Sequence, residues 1–184
     1  MKKDITALFC FVDDFLKVIY EYEKSHFIPV NTRKPTRECS LNMSEIITII
    51  LLYYQSNMKN FEQFYKLYLP LYKEEFSTIL SYNRFIEIKK RALQYMHLLL
   101  IFLTKLSNRT GLAYIDSTPI AVCYNKRIRS NKVFKGVAKL GKTTKGWFFG
   151  LKVHLLINEK GEIMNLAITA GNVDDRVPVP DCQC

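Results

Sequence analysis

Apolar residues recur at helical intervals through the first 110 positions and cluster or alternate after them. From about Ile5 to Lys24, the residues Leu8, Phe11, Val12, Phe15, Ile19 and Tyr22 fall on one stripe, which predicts an amphipathic helix. The run NMSEIITIILLYYQS predicts a second helix. Its Asn42 stands three residues before Glu45, the spacing of a capping box in which each side chain takes a backbone N–H of the other. After the break NMKN, the run FEQFYKLYL predicts a third helix, stopped by Pro70. A longer helix is expected from just after Ser81 to about Leu106. Short helices joined by a tight turn resemble a helix-turn-helix module. A plain helical bundle accounts for the same pattern, with Arg84, Lys89, Lys90 and Arg91 as a solvated face.

All seven glycines lie at Gly111 or later, so the two halves differ in character. The boundary is placed in KLSNRTG, where Ser107, Asn108 and Gly111 are stop signals. Residues 1–110 are expected to be all-helical and residues 111–184 to form strands and turns, an α+β chain. Trp147–Ile157 and Glu162–Thr169 read as strands around the turn NEKG, where Gly161 supplies the positive φ of a short hairpin. With AYIDSTPIAVC they predict three antiparallel strands, the Trp147 strand in the middle.

With 184 residues, 48% hydrophobic and 24% charged, the chain can bury a core and is not of disordered composition. Five cysteines (Cys10, Cys39, Cys123, Cys182, Cys184) lack zinc-site spacing and read as free thiols. The N-terminal apolar run is cut by Asp4, Asp13 and Asp14, unlike a signal peptide. The runs IITIILLYY and LLLIFL fall short of the ~20 residues that cross a bilayer, so a soluble intracellular protein is expected. The net charge of +10 favours a polyanionic partner, although codon bias in an AT-rich genome also enriches lysine.

Location of the charge is more informative than its sum. No acidic residue lies between Asp116 and Glu159, whereas Lys126, Arg127, Arg129, Lys132, Lys135, Lys139, Lys142, Lys145 and Lys152 do. Most fall in NKRIRSNKVFKGVAKLGKTTKG, whose glycines and weak periodicity predict a loop. Such cations neutralise phosphates without reading sequence. Asp116 is the one charge in an otherwise apolar strand, and a divalent cation would offset its cost. Capping a turn or pairing with a lysine are its plainer roles, and Ser117 and Thr118 are ordinary turn formers before Pro119. His154, between Val153 and Leu155, reads as a packed strand residue. Asp174 and Asp175 follow a strand two spacings, ~10 Å, from Asp116. Unless their loop folds back they cannot share a metal with it, and capping or pairing with Arg176 is their expected role.

The runs AYIDSTPIAVC, GWFFGLKVHLLINEKGEI and ITAGNVDDRVPVPD, in that order, resemble bacterial insertion-sequence transposases with an Asp-Asp-Glu triad, of the insertion sequence 982 group. CSLNMSEIITIILLYYQSNMKNFEQFY and LSYNRFIEI are similar to that group's N-terminal region. The resemblance implies a ribonuclease-H-like domain that opens with three antiparallel strands. It matches Asp116 to the first catalytic aspartate, a ligand of two Mg2+ ions in DNA strand cleavage and transfer. It also lays Lys126, Arg127, Arg129, Lys132, Lys135, Lys139, Lys142 and Lys145 along transposon-end DNA, in the bacterial cytoplasm, with self-association left open. These 184 residues contain neither the family's later Asp-Lys-Gly-Tyr-like motif nor the glutamate beyond it, and they end in CQC. The expectation is therefore a C-terminally truncated transposase, its metal site incomplete and its activity lost when alone. A non-catalytic DNA-binding module and a non-functional gene remnant are the alternatives.

Overall fold

Asn42 opens the best-capped element of the chain. Its side chain accepts the Glu45 N–H at 2.7 Å, and a Glu45 carboxylate oxygen accepts the Asn42 N–H at 2.8 Å, closing the expected capping box. The computed structural model describes residues 4–26, 40–108, 111–144 and 146–177. The chain divides into two units, residues 1–99 and 100–184.

The first unit is helical. Helix α1 spans Ile5–His26 and α2 spans Met43–Gln55, with Asn57 after it in the left-handed conformation (φ +58°) that ends helices. Helix α3, Phe61–Gln63, is capped by Asn60. It widens into a π turn over Phe64–Tyr68 and tightens into 3-10 turns over Leu69–Glu75. Pro70 therefore does not stop the helical path. Its missing N–H and its ring disrupt the regular ladder, and Leu69 N–H instead reaches back five residues to the Phe64 carbonyl. Helix α4, Tyr82–Ile88, starts at the Ser81 cap and passes through a 3-10 turn, Lys89–Arg91, into α5, Ala92–Leu106.

The stripe expected on α1 is rotated. Ile5, Val12, Phe15 and Leu16 are buried, whereas Phe11 and Tyr22 are exposed. The side facing α2 is marked by Asp13, whose carboxylate accepts the Ser44 hydroxyl at 2.7 Å and pairs with Lys17. Phe64, Phe85, Leu52 and Leu69 are fully buried in the core of this unit. Glu45, also buried, accepts the Ser77 N–H at 2.8 Å with its second oxygen, so one carboxylate closes two chain segments. Glu45→Ala leaves two backbone donors without acceptors and should cost about 2–4 kcal/mol by chemical denaturation. Glu45→Gln keeps one acceptor oxygen and should cost less.

The second unit is an open antiparallel sheet: β1 Ala113–Cys123, β2 Lys139–Thr143, β3 Gly146–Asn158 and β4 Ile163–Ala170. Strand β3 is central. It carries β1 on one side; on the other, β2 pairs with Gly146–Gly150 and β4 with Leu151–Ile157. There are thus four strands rather than three. The basic segment is not simply a loop, since it holds a 3-10 turn, Asn125–Ser130, and strand β2. The long β3 leaves its Gly146–Gly150 edge beyond the reach of β4, and β2 satisfies those backbone groups. The β3–β4 turn forms as expected, with Gly161 at φ +78° and the Asn158 side chain accepting the N–H of Lys160 and of Glu162. Asn158 and Glu162 also bind the backbone of Asn108, which belongs to this same unit. No helix among the described residues is long and apolar enough to cross a membrane.

Candidate functional site

Register and alternation place the residues of interest on two faces of the sheet. Asp116 stands opposite Leu155 of β3, and Ser117 opposite His154. Successive side chains on a strand point to opposite faces. Asp116 therefore shares a face with Thr118, Val153 and Leu155, and Ser117 shares the other with Lys152, His154 and Thr169.

Backbone direction adds a further constraint on Asp116. The Gly150 carbonyl accepts from Gly171 N–H, and Asn158 N–H donates to the Glu162 carbonyl, so even-numbered residues of β3 turn their backbone groups towards β4. Odd-numbered ones turn towards β1 and meet Asp116, Thr118 and Ile120. The backbone groups of Ser117 and Pro119 consequently face the outer edge. There the Asp116 carboxylate accepts the Ser117 N–H at 2.8 Å, while Pro119 has no N–H to offer. One edge donor is occupied and the next is absent, which blunts the edge against pairing with a stray strand. Asp116 is exposed and makes no ion pair among the described residues.

The loop after β4 does fold back, contrary to the simpler expectation. Lys152 is buried, and its ammonium donates to the Val173 carbonyl and the Asp175 carboxylate, both at 2.9 Å. Ser117 and Pro119 of β1 line one pocket with Lys152 and Asp175. Asp175 thus reaches β1 on the face opposite Asp116. Neither aspartate pairs with Arg176: Asp175 takes Lys152, and Asp174 accepts the Arg176 backbone N–H in a local turn. Lys152 is accordingly removed from the set of uncompensated cations. His154 is fully buried as expected, its Nε2 2.8 Å from the Thr169 hydroxyl and its Nδ1 without a partner. Sequence reading missed the Ser117–Lys152–Asp175 cluster. Its one visible trace was the alternation of Lys152, His154 and Asn158 along a single face of β3.

Lys152, and to a smaller extent Ser117, hold the Asp175 carboxyl below the usual carboxylate range. A depressed pKa stabilises the fold above the unfolded-state value and ceases to do so as pH falls through the lower folded-state value. Asp175 is more than half exposed, so the contribution is at most about 1 kcal/mol. Asp175→Asn should lower Tm at pH 7, and the difference from wild type should shrink as the pH falls below about 4 and close only below the lower folded-state pKa.

Seven cations of the basic segment lie among the described residues, and none is paired there as Lys152 is. Lys126, Arg127 and Arg129 sit on the Asn125–Ser130 turn, pinned to β3 where the Asn125 side chain donates to the Trp147 carbonyl at 3.0 Å. Lys132 and Lys135 follow on turns, Lys139 and Lys142 lie on β2, and Lys142 stands 5.8 Å from the centroid of the Trp147 ring. All seven are exposed, and none makes an ion pair with another described residue. Lys145, Cys39, Cys182 and Cys184 lie outside the described residues.

Residues 106–183 match the family model for the transposase DDE domain. A DDE-transposase family domain is therefore present over part of this chain, the part that contains the sheet, Asp116 and the basic segment. Nothing matches the chain among the curated proteins or the solved structures. Among the described residues no three or more His, Cys, Asp or Glu side chains group where they could hold a metal ion. Asp116 and Asp175 lie on opposite faces, so these two described carboxylates do not share a Mg2+ site.

Proposed function

We propose that this chain is a transposase-type DNA-binding protein of the insertion sequence 982 group, with Asp116 as the first carboxylate of its catalytic set. The observation that carries this reading is an exposed Asp116 and, after it along the chain, seven exposed cations, none of them ion-paired among the described residues, inside the region that matches the DDE domain. In this reading β1, β3 and β4 are the opening antiparallel strands of a ribonuclease-H-like domain, and residues 111–184 are its beginning. Residues 1–110 form the recognition region, with α2 and α3 as a helix-turn-helix-like pair. Lys126, Arg127, Arg129, Lys132, Lys135, Lys139, Lys142 and Lys145 track the phosphates of the element's terminal repeats. The family chemistry is phosphoryl transfer on DNA with Mg2+. Asp116 brings one ligand to such a site, so these 184 residues as they stand bind DNA without cutting it.

The test is a gel shift and a nicking assay with the 184-residue chain, Mg2+ and labelled duplexes ending in the terminal repeat or in a scrambled sequence. Repeat-end preference that survives 200 mM salt, with no nicking, is the expected result. Nicking abolished by Asp116→Asn would overturn the non-cutting part. Absence of DNA binding at low salt would overturn the whole reading.

A further inference from the structure

The helical unit carries a concavity to which the DDE match does not extend. It is a pocket of about 500 Å3 lined on one side by Tyr53 and Tyr54 of α2 with Phe61, and on the other by Lys89, Lys90 and Leu93. Tyr54 and Leu93 are 69% and 73% exposed, while the next layer, Phe64 and Phe85, is fully buried. Single exposed apolar residues are ordinary on protein surfaces. A concave set of three rings with two lysines and no carboxylate in its lining is not. The rings are held in place: Tyr53 meets Phe61 edge-on at 5.0 Å, and the Lys89 ammonium stands 4.6 Å from the Phe61 ring centroid. Arg91 continues the positive charge along the Lys89–Arg91 turn.

Charge and shape together define the ligand. Two ammonium groups with no ion-pair partner among the described residues call for an anionic partner. Aromatic walls accept a flat π system, and every nucleobase has one. The volume falls within the roughly 300–1,000 Å3 of small-ligand pockets, room for a nucleotide and not for a duplex. We propose that this pocket receives one unstacked base of a DNA strand, Tyr54 stacking on its face while Lys89 and Lys90 neutralise the neighbouring phosphates. The inference is independent of Asp116 and of the assignment to a transposase group.

The test uses the 184-residue chain and two fluorescent oligonucleotides of one sequence, a blunt duplex and a duplex with a three-nucleotide single-stranded overhang. Wild type should prefer the overhang. Tyr54→Ala, which leaves the buried core untouched, should weaken overhang binding at least about fivefold and blunt-duplex binding less than twofold. Tyr54→Phe should retain the preference. Lys90→Gln should weaken overhang binding and flatten its salt dependence. Equal binding of the two duplexes by wild type, or an equal loss on both in Tyr54→Ala, would overturn the pocket and leave the transposase reading standing. Tyr54-dependent binding of an acidic amphipathic helical peptide in preference to the overhang would also overturn it, in favour of a protein partner.

Discussion

Replacing Gly150 with valine is expected to destabilise the sheet unit by about 3 kcal/mol or more, enough to abolish its cooperative unfolding transition at moderate temperature. A Cβ at this position would lie 1.9 Å from the Ile120 carbonyl oxygen and 2.9 Å from its carbon. Both are backbone atoms of β1, and they cannot retreat without breaking the β1–β3 ladder. Alanine should already cost about 2 kcal/mol, because the clash begins at Cβ. Gly136 is a control of a different kind. Its φ is +87° but nothing stands within 4 Å, so alanine there should cost only about 1 kcal/mol of backbone strain. Trp147, the single tryptophan, lies on β3 and reports on this unit directly, so urea titrations followed by its fluorescence measure the effect. Equal stability of Gly150→Val and wild type would mean that β1 and β3 do not approach as described.

Neutralising the basic segment should have the largest effect on binding. Alanine at Lys126, Arg127, Arg129, Lys132 and Lys135 together is expected to reduce affinity for duplex DNA by about a hundredfold or more near 100 mM salt. The slope of log affinity against log salt should flatten by roughly four, since each lost phosphate contact removes about one. Fluorescence anisotropy over a salt series reads both. All five side chains are exposed and unpaired, so stability should barely change. Lys152→Ala makes the contrast. It should destabilise the loop that crosses the sheet and leave the salt slope alone, because that ammonium is spent on Val173 and Asp175. An unchanged slope in the five-residue variant would remove the segment from the DNA interface.

The features legible in the sequence share a short range. Asn42 and Glu45 find each other across one helical turn, and Gly161 takes its positive φ inside a tight hairpin. The alternation of LKVHLLIN marks the central strand without reference to any other segment. The features that were not legible depend on partners distant along the chain. KLGKT has no apolar alternation, and it is a strand because β3 has backbone groups left over beside it. Phe11 and Tyr22 have the right spacing for the buried stripe of α1 and are nonetheless exposed, since packing selects which side of a helix is covered. Pro70 has the residue type of a stop signal, and the chain absorbs it by changing helical pitch.

By itself the sequence determined the helical character of the first half, the capped start of α2, the β3–β4 hairpin and the isolation of Asp116 among cations along the chain, because each rests on local geometry or on charge counted along the chain. Tertiary structure alone decided that Lys152 is paired, that Asp175 lies across the sheet from Asp116, and that Asp116 caps the open edge of β1. Strand alternation assigns a side chain to one of two faces. Only the path of the loop and the sheet's pairing say what waits on each.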